Sequence, residues 1–173
     1  MKAPKVFGIV GWKNSGKTGL TEQLVTEFTR RGYRISTIKH AHHDFDIDKP
    51  GADSFRHRQA GAQEVALVSG TRFAIMHELR GAPEPTFEDI LARLAPCDII
   101  LIEGYKREPI PKIEVRRLDA AKREPLAPQD PHIMAIAADH PVTDSCLTVF
   151  GLDDTPAIAD FIATSVGLTL SQT

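Results

Sequence analysis

Cysteine is nearly absent. Cys97 and Cys146 are the only two in 173 residues. They stand far apart, and no metal-ligand spacing includes them. Each adjoins an apolar, strand-like segment, so both are expected to be buried thiols in a reducing compartment. Long apolar runs are missing as well, since none approaches the roughly 20 residues that span a bilayer. Met1-Lys2-Ala3-Pro4-Lys5 leads into a short apolar run without the h-region and small-residue cleavage site of a signal peptide. A soluble, cytoplasmic chain is expected. No charge of one sign prevails: the net charge of -2 supplies no global basic field for nucleic acid or an anionic membrane. Anion binding must therefore come from a local site. There is no repeat and no low-complexity tract.

What is present is ordinary for a globular protein, with 42% apolar and 25% charged residues. The length suits one domain with a sizeable core, and residues 1–173 are read as a single domain. Residues 5–10 form a short apolar run, which predicts a buried strand. Leu20, Leu24, Val25 and Phe28 then recur at helical spacing, and Gly32 stops the helix. Strands are predicted over 33–39, 64–69, 73–77, 98–103, 113–116, 133–138 and 146–150. Helices are predicted over 53–60 and 86–94 and from Thr155-Pro156 onward. Thr86 is the expected cap of the second of these. Residues 116–131, rich in charge and proline, are expected to be a loop. The nearly all-aliphatic 98–103 segment has the composition of a central parallel strand. Strands alternating with helices predict an α/β fold, a three-layer sandwich around a mostly parallel sheet. Ligands in such sheets gather at the carboxyl ends of the strands.

The strongest motif lies there. Gly11-Trp12-Lys13-Asn14-Ser15-Gly16-Lys17-Thr18 meets the pattern G-x-x-x-x-G-K-[ST] in full, between a strand and a helix. The two glycines let the backbone wrap phosphate oxygens, and N–H groups and the helix end face the anion. Lys17 is placed to reach the β- and γ-phosphates, and the Thr18 hydroxyl to ligate Mg²⁺. Glu103, ending the most apolar strand, is the expected second metal partner or the group that polarises water. Asp98 begins the same strand, about 17 Å away by strand rise, and is read as a strand-start residue.

A polar loop follows the second strand, from Lys39 and His40 through His42, His43, Asp44, Asp46 and Asp48. A transition-metal site from the three histidines is one reading, weakened because adjacent ligands on one loop close poorly around an ion. A calcium loop fails, because Lys49 replaces the required glycine and Phe55 the required glutamate. The favoured reading is a loop facing substrate and Mg²⁺, with Lys39, His40, His42 and His43 on anionic groups and Asp46 or Asp48 on the metal or water. A bland solvated loop is the remaining reading. Downstream, Arg56 is a candidate phosphate clamp, with a plain surface role as its alternative.

These elements in this order resemble the molybdopterin-guanine dinucleotide biosynthesis protein B (MobB) family. The resemblance rests on Gly11 to Thr18, Thr37-Ile38-Lys39-His40, Gly51-Ala52-Asp53-Ser54-Phe55-Arg56, Ala60-Gly61-Ala62, Leu101-Ile102-Glu103-Gly104-Tyr105-Lys106, Pro111 to Val115 and Ala135 to Asp139. It implies a GTP-binding, weakly GTP-hydrolysing homodimer that works beside the guanylyltransferase MobA, which joins GMP to molybdenum-bound molybdopterin. It also places Lys106 near the site. The usual guanine reader Asn-Lys-x-Asp is absent, and Asp139 at a strand end is the expected substitute. Two other classes stay open: a P-loop small-molecule kinase, with 116–123 as its short lid, and a scaffold that binds nucleotide or pterin without turnover.

Overall fold

A computed structural model describes residues 5–41 and 45–169. The chain forms two compact units, one from residues 1–40 with 94–173 and one from 41–93.

The larger unit is built on a six-stranded sheet of β1 (Lys5–Val10), β2 (Ile35–Lys39), β5 (Ile99–Glu103), β6 (Lys112–Arg116), β7 (Ile133–Ala138) and β8 (Thr148–Gly151), in the order β2-β5-β1-β6-β7-β8. Every pairing is parallel. The α/β class expected from the alternation of elements is the observed one. Helices α1 (Lys17–Arg30) and α4 (Thr155–Val166) pack against each other and against β1. The helical spacing of Leu20, Leu24 and Phe28 puts all three into one core with Phe7, Ile9, Ile99, Leu101 and Ile162. Alternation sends Gly8 to the other face of β1, where a Cβ would meet Lys112 Cγ at 2.8 Å. The strand thus keeps its glycine because a buried lysine stem crosses it. Lys112 is wholly buried, with its Nζ on Asp130 Oδ2 at 2.5 Å and on the Lys106 carbonyl at 3.0 Å.

The smaller unit holds α2 (Asp53–Gln59), α3 (Phe87–Arg93) and an antiparallel hairpin of β3 (Glu64–Val68) and β4 (Phe73–His77). Thr86 caps α3 as expected. Its hydroxyl accepts from Asp89 N (3.1 Å), while Asp89 Oδ2 accepts from Thr86 N (3.0 Å). In the hairpin Val68 pairs with Phe73 and Ala66 with Ile75, which sets Val68, Phe73 and Ile75 on one face. All three are exposed, at 79%, 72% and 61%.

Two sequence expectations need correction. Cys146 is exposed and Cys97 half-buried, so the pair of buried thiols is not found. The strand near Cys146 begins only at Thr148. Ser145 Oγ accepts from Leu147 N at 3.2 Å, which closes a local turn on Cys146 and keeps it out of the sheet.

Candidate functional site

The phosphate loop joins β1 to α1. Its backbone turns through left-handed Asn14 (φ 65°) and Gly16 (φ 95°). Gly16 stands at the N-cap of α1 with no side-chain cap, and the first turn carries no acidic residue. The first-turn N–H groups are thus left for an external anion. A side chain at residue 16 would also collide with Arg117, whose Cδ lies 2.9 Å from the position of a Cβ.

Parallel register brings the catalytic candidates together. β5 lies between β1 and β2, so Glu103 stands beside Ile9 on one side and Lys39 on the other. The Thr18 hydroxyl lies 3.1 and 3.2 Å from the two Glu103 carboxylate oxygens. Lys39 Nζ is 3.4 Å from Glu103 Oε1. Lys17 turns back onto its own loop, donating to the Trp12 carbonyl at 2.7 Å. Burial holds the Lys17 ammonium below the usual lysine range. Glu103 opposes that shift, and Lys106 and Lys39 add to it. A half-buried lysine held by one carbonyl, beside a helix end, suits a phosphate chain. A hydroxyl facing a carboxylate is a hard-oxygen donor pair that suits Mg²⁺.

Other predicted residues surround this centre. The His40 ring packs on Tyr105 at 4.6 Å, and His40 N donates to the Glu103 carbonyl (2.9 Å). Gly104, with φ 97°, leaves room for His40, whose Cβ lies 3.1 Å from where its own Cβ would be. Lys106 Nζ sits 4.0 Å from the centre of the Trp12 ring. Asp139 Oδ1 accepts from Leu118 N (3.1 Å) and faces His140 Nδ1 (2.8 Å), and its Oδ2 lies 3.5 Å from Arg117 Nε. The His140 contact, aided by Arg117, keeps the Asp139 carboxyl below the usual range. Arg117, touching both Gly16 and Asp139, links the strand end to the phosphate loop.

Residues 117–124 were expected as a loop, with 116–123 as a short lid in the kinase reading, and their partner is the finding. The Trp12 indole N–H donates to the Glu124 carbonyl (2.7 Å), and Ala121 N to the Lys13 carbonyl (2.9 Å). Lys122 Nζ comes within 5.0 Å of the Trp12 ring centre. A tryptophan inside a phosphate loop was the available signal for such a contact.

Asp46, Asp48 and Arg56 belong to the smaller unit. Arg58, overlooked in the sequence, organises their loop. Its Nη2 meets both Asp46 oxygens at 2.9 Å, Nε lies 3.4 Å from Asp48, and Nη1 holds Glu78 at 2.7 Å. Asp48 also accepts from Ser54 Oγ (2.8 Å). Arg56 is exposed and stands 3.9 Å from Asp53. His42, His43 and Asp44 lie outside the described residues. Among the described residues no group of three His, Cys, Asp or Glu side chains is arranged to hold a metal ion. Nor is any helix among them long and apolar enough to cross a membrane.

Comparison with known proteins gives a consistent result. The family model described as molybdopterin guanine dinucleotide synthesis protein B matches residues 6–139. The molybdopterin-guanine dinucleotide biosynthesis adapter protein of Haemophilus influenzae is 41% identical over 160 residues, covering 91% of this chain and 86% of that protein. The Escherichia coli protein of the same description is 35% identical over 159 residues, covering 91% and 90%. The crystal structure of a MobB homolog from Bacillus stearothermophilus superposes with a TM-score of 0.70 at 27% identity, over 95% of this chain and 99% of that one. With the family model spanning most of the chain, and with the phosphate loop, the parallel sheet and the Glu103 strand end in place, this protein belongs to the molybdopterin guanine dinucleotide synthesis protein B family.

Proposed function

We propose that the chain is a GTP-binding accessory protein with slow GTPase activity, an adapter for the attachment of GMP to molybdopterin beside the guanylyltransferase MobA. The observation that carries the nucleotide part is the convergence of Lys17, Thr18 and Glu103 at the uncapped start of α1. The adapter part is supported by the names of the relatives in Haemophilus influenzae and Escherichia coli. Lys17 would exchange the Trp12 carbonyl for the β- and γ-phosphate oxygens, and the loop N–H groups would take the rest. Thr18 and Glu103 would hold Mg²⁺, which supplies neutralisation of phosphate charge. Glu103 is already engaged by Thr18 and Lys39. It is a poor base for water in that state, which fits slow turnover. Calorimetry with non-hydrolysable GTP and ATP analogues, both with Mg²⁺, tests the reading. Tighter binding of the GTP analogue is expected, and equal or reversed affinities would sink it.

Asp139 is the proposed guanine reader, accepting from N1 and N2 and tied to the phosphate loop through Arg117. Asp139→Ala should erase most of the preference for GTP over ATP, about tenfold or more, with a smaller effect on ATP. A preference that survives the substitution removes Asp139 from that role.

The proposed homodimer has a surface to use. An apolar hairpin face carrying Val68, Phe73 and Ile75 is unusual on a monomer. Phe73→Asp is expected to shift the protein toward monomer in sedimentation equilibrium, and an unchanged mass would place the dimer contact elsewhere.

A further inference from the structure

We propose that Lys106 and Lys122, gathered over the indole of Trp12, form an anion subsite beside the phosphate cradle. It takes the phosphate group of a second molecule, a phosphomonoester, while nucleotide fills the cradle. The inference rests on the nucleotide-binding reading.

Geometry is the first support. Lys106 follows the β5 strand end and Lys122 sits in the 117–124 loop. Both ammonium groups converge on one ring, at 4.0 and 5.0 Å. The ring is fixed, because its N–H is spent on the Glu124 carbonyl, and the loop is tied to Lys13 through Ala121 N. Charge is the second support. Glu103 faces Lys39, but neither Lys106 nor Lys122 has a carboxylate within ion-pair distance among the described residues. An aromatic face attracts an ammonium group only modestly at an exposed site and does not cancel its charge. Lys106 is accordingly held below the ordinary lysine range by burial, with Lys122 contributing. A dianion with several acceptor oxygens relieves that repulsion and uses the donors of both side chains.

The pair is separate from the cradle's own cation. Lys17 hydrogen-bonds the loop backbone, whereas Lys106 and Lys122 stand over the Trp12 ring, with Lys106 near enough to add to the lowering of the Lys17 pKa. A triphosphate in the cradle has Lys17, the α1 N-terminus and Mg²⁺ to neutralise it. The two extra cations beside it match the phosphate of a reaction partner.

Trp12 is the only tryptophan, so its fluorescence reports on the subsite. Full-length protein saturated with Mg²⁺ and a non-hydrolysable GTP analogue is titrated with inorganic phosphate. A saturable change in emission is expected, with a midpoint raised about tenfold in Lys122→Ala. Calorimetric affinity for the analogue should change by less than about twofold in that variant, and circular dichroism checks its fold. No saturable change, an unmoved midpoint, or a phosphate response seen only without the analogue overturns the proposal. If calorimetry shows that the analogue does not bind, the nucleotide reading fails on its own. The titration is then run in Lys17→Ala, where a response that depends on Lys122 upholds the subsite and its absence overturns it.

Discussion

Lys17→Ala should lower affinity for the GTP analogue by about a hundredfold or more, the largest functional effect expected at any single position. The ammonium group is the one cation hydrogen-bonded inside the phosphate loop, at 2.7 Å from the Trp12 carbonyl. A charged hydrogen bond made in a partly buried site is worth about 1.5–3 kcal/mol, and a second phosphate contact doubles the loss. Lys17→Arg should not rescue, because the longer, planar guanidinium does not fit a contact made by a point charge. The pH dependence has a definite sign. Burial lowers the pKa of Lys17 in the free protein, while phosphate binding needs the charged form. Affinity should therefore fall as pH rises through that lowered value, sooner than for an ordinary lysine. Calorimetry across the alkaline range checks this. Near wild-type affinity in Lys17→Ala would mean that the cradle is not where nucleotide binds.

The effect was legible in the sequence because the phosphate loop is contiguous. Its residues need only a strand before and a helix after, and both are announced by apolar periodicity. Glu103 was legible too, as the polar end of a five-residue aliphatic strand. What the sequence hid were contacts between distant segments. Lys112 is charged and so reads as exposed, yet it is buried because Asp130 and the Lys106 carbonyl take its ammonium group. Arg58 reads as one more surface charge on a polar helix, and only the folded loop shows it gathering Asp46, Asp48 and Glu78. Residues 117–124 have no periodicity, and their order comes from hydrogen bonds to the loop of Trp12 and Lys13. Cys146 misled because an apolar neighbourhood suggested a strand, while a serine turn delays the start of that strand to Thr148.

Glu114→Ala should cost the most stability of any polar substitution, about 3–5 kcal/mol. Glu114 is 1% exposed in the middle of the sheet. Its carboxylate accepts from Leu126 N and Ala127 N at 2.9 Å each and from Arg116 Nη2 at 2.9 Å. Truncation leaves two backbone donors and part of a buried guanidinium unpaired, and Asp144 can hold only the other Arg116 nitrogen, at 2.7 Å. Among the described residues Arg116 Nε already has no hydrogen-bond partner. Urea unfolding should show the midpoint falling with an unchanged slope. Glu114→Gln, which keeps the shape but places a donor against donors, should fall between the variant and wild type. The same carboxylate anchors Leu126 and Ala127, just beyond the 117–124 segment. Glu114→Ala should therefore also loosen Trp12 and shift its emission toward that of a solvated indole, at urea concentrations where the protein remains folded. A loss below about 1 kcal/mol, within the range of an ordinary hydrogen bond, would show that water replaces the carboxylate and that the loop is held by its bonds to Trp12 and Lys13.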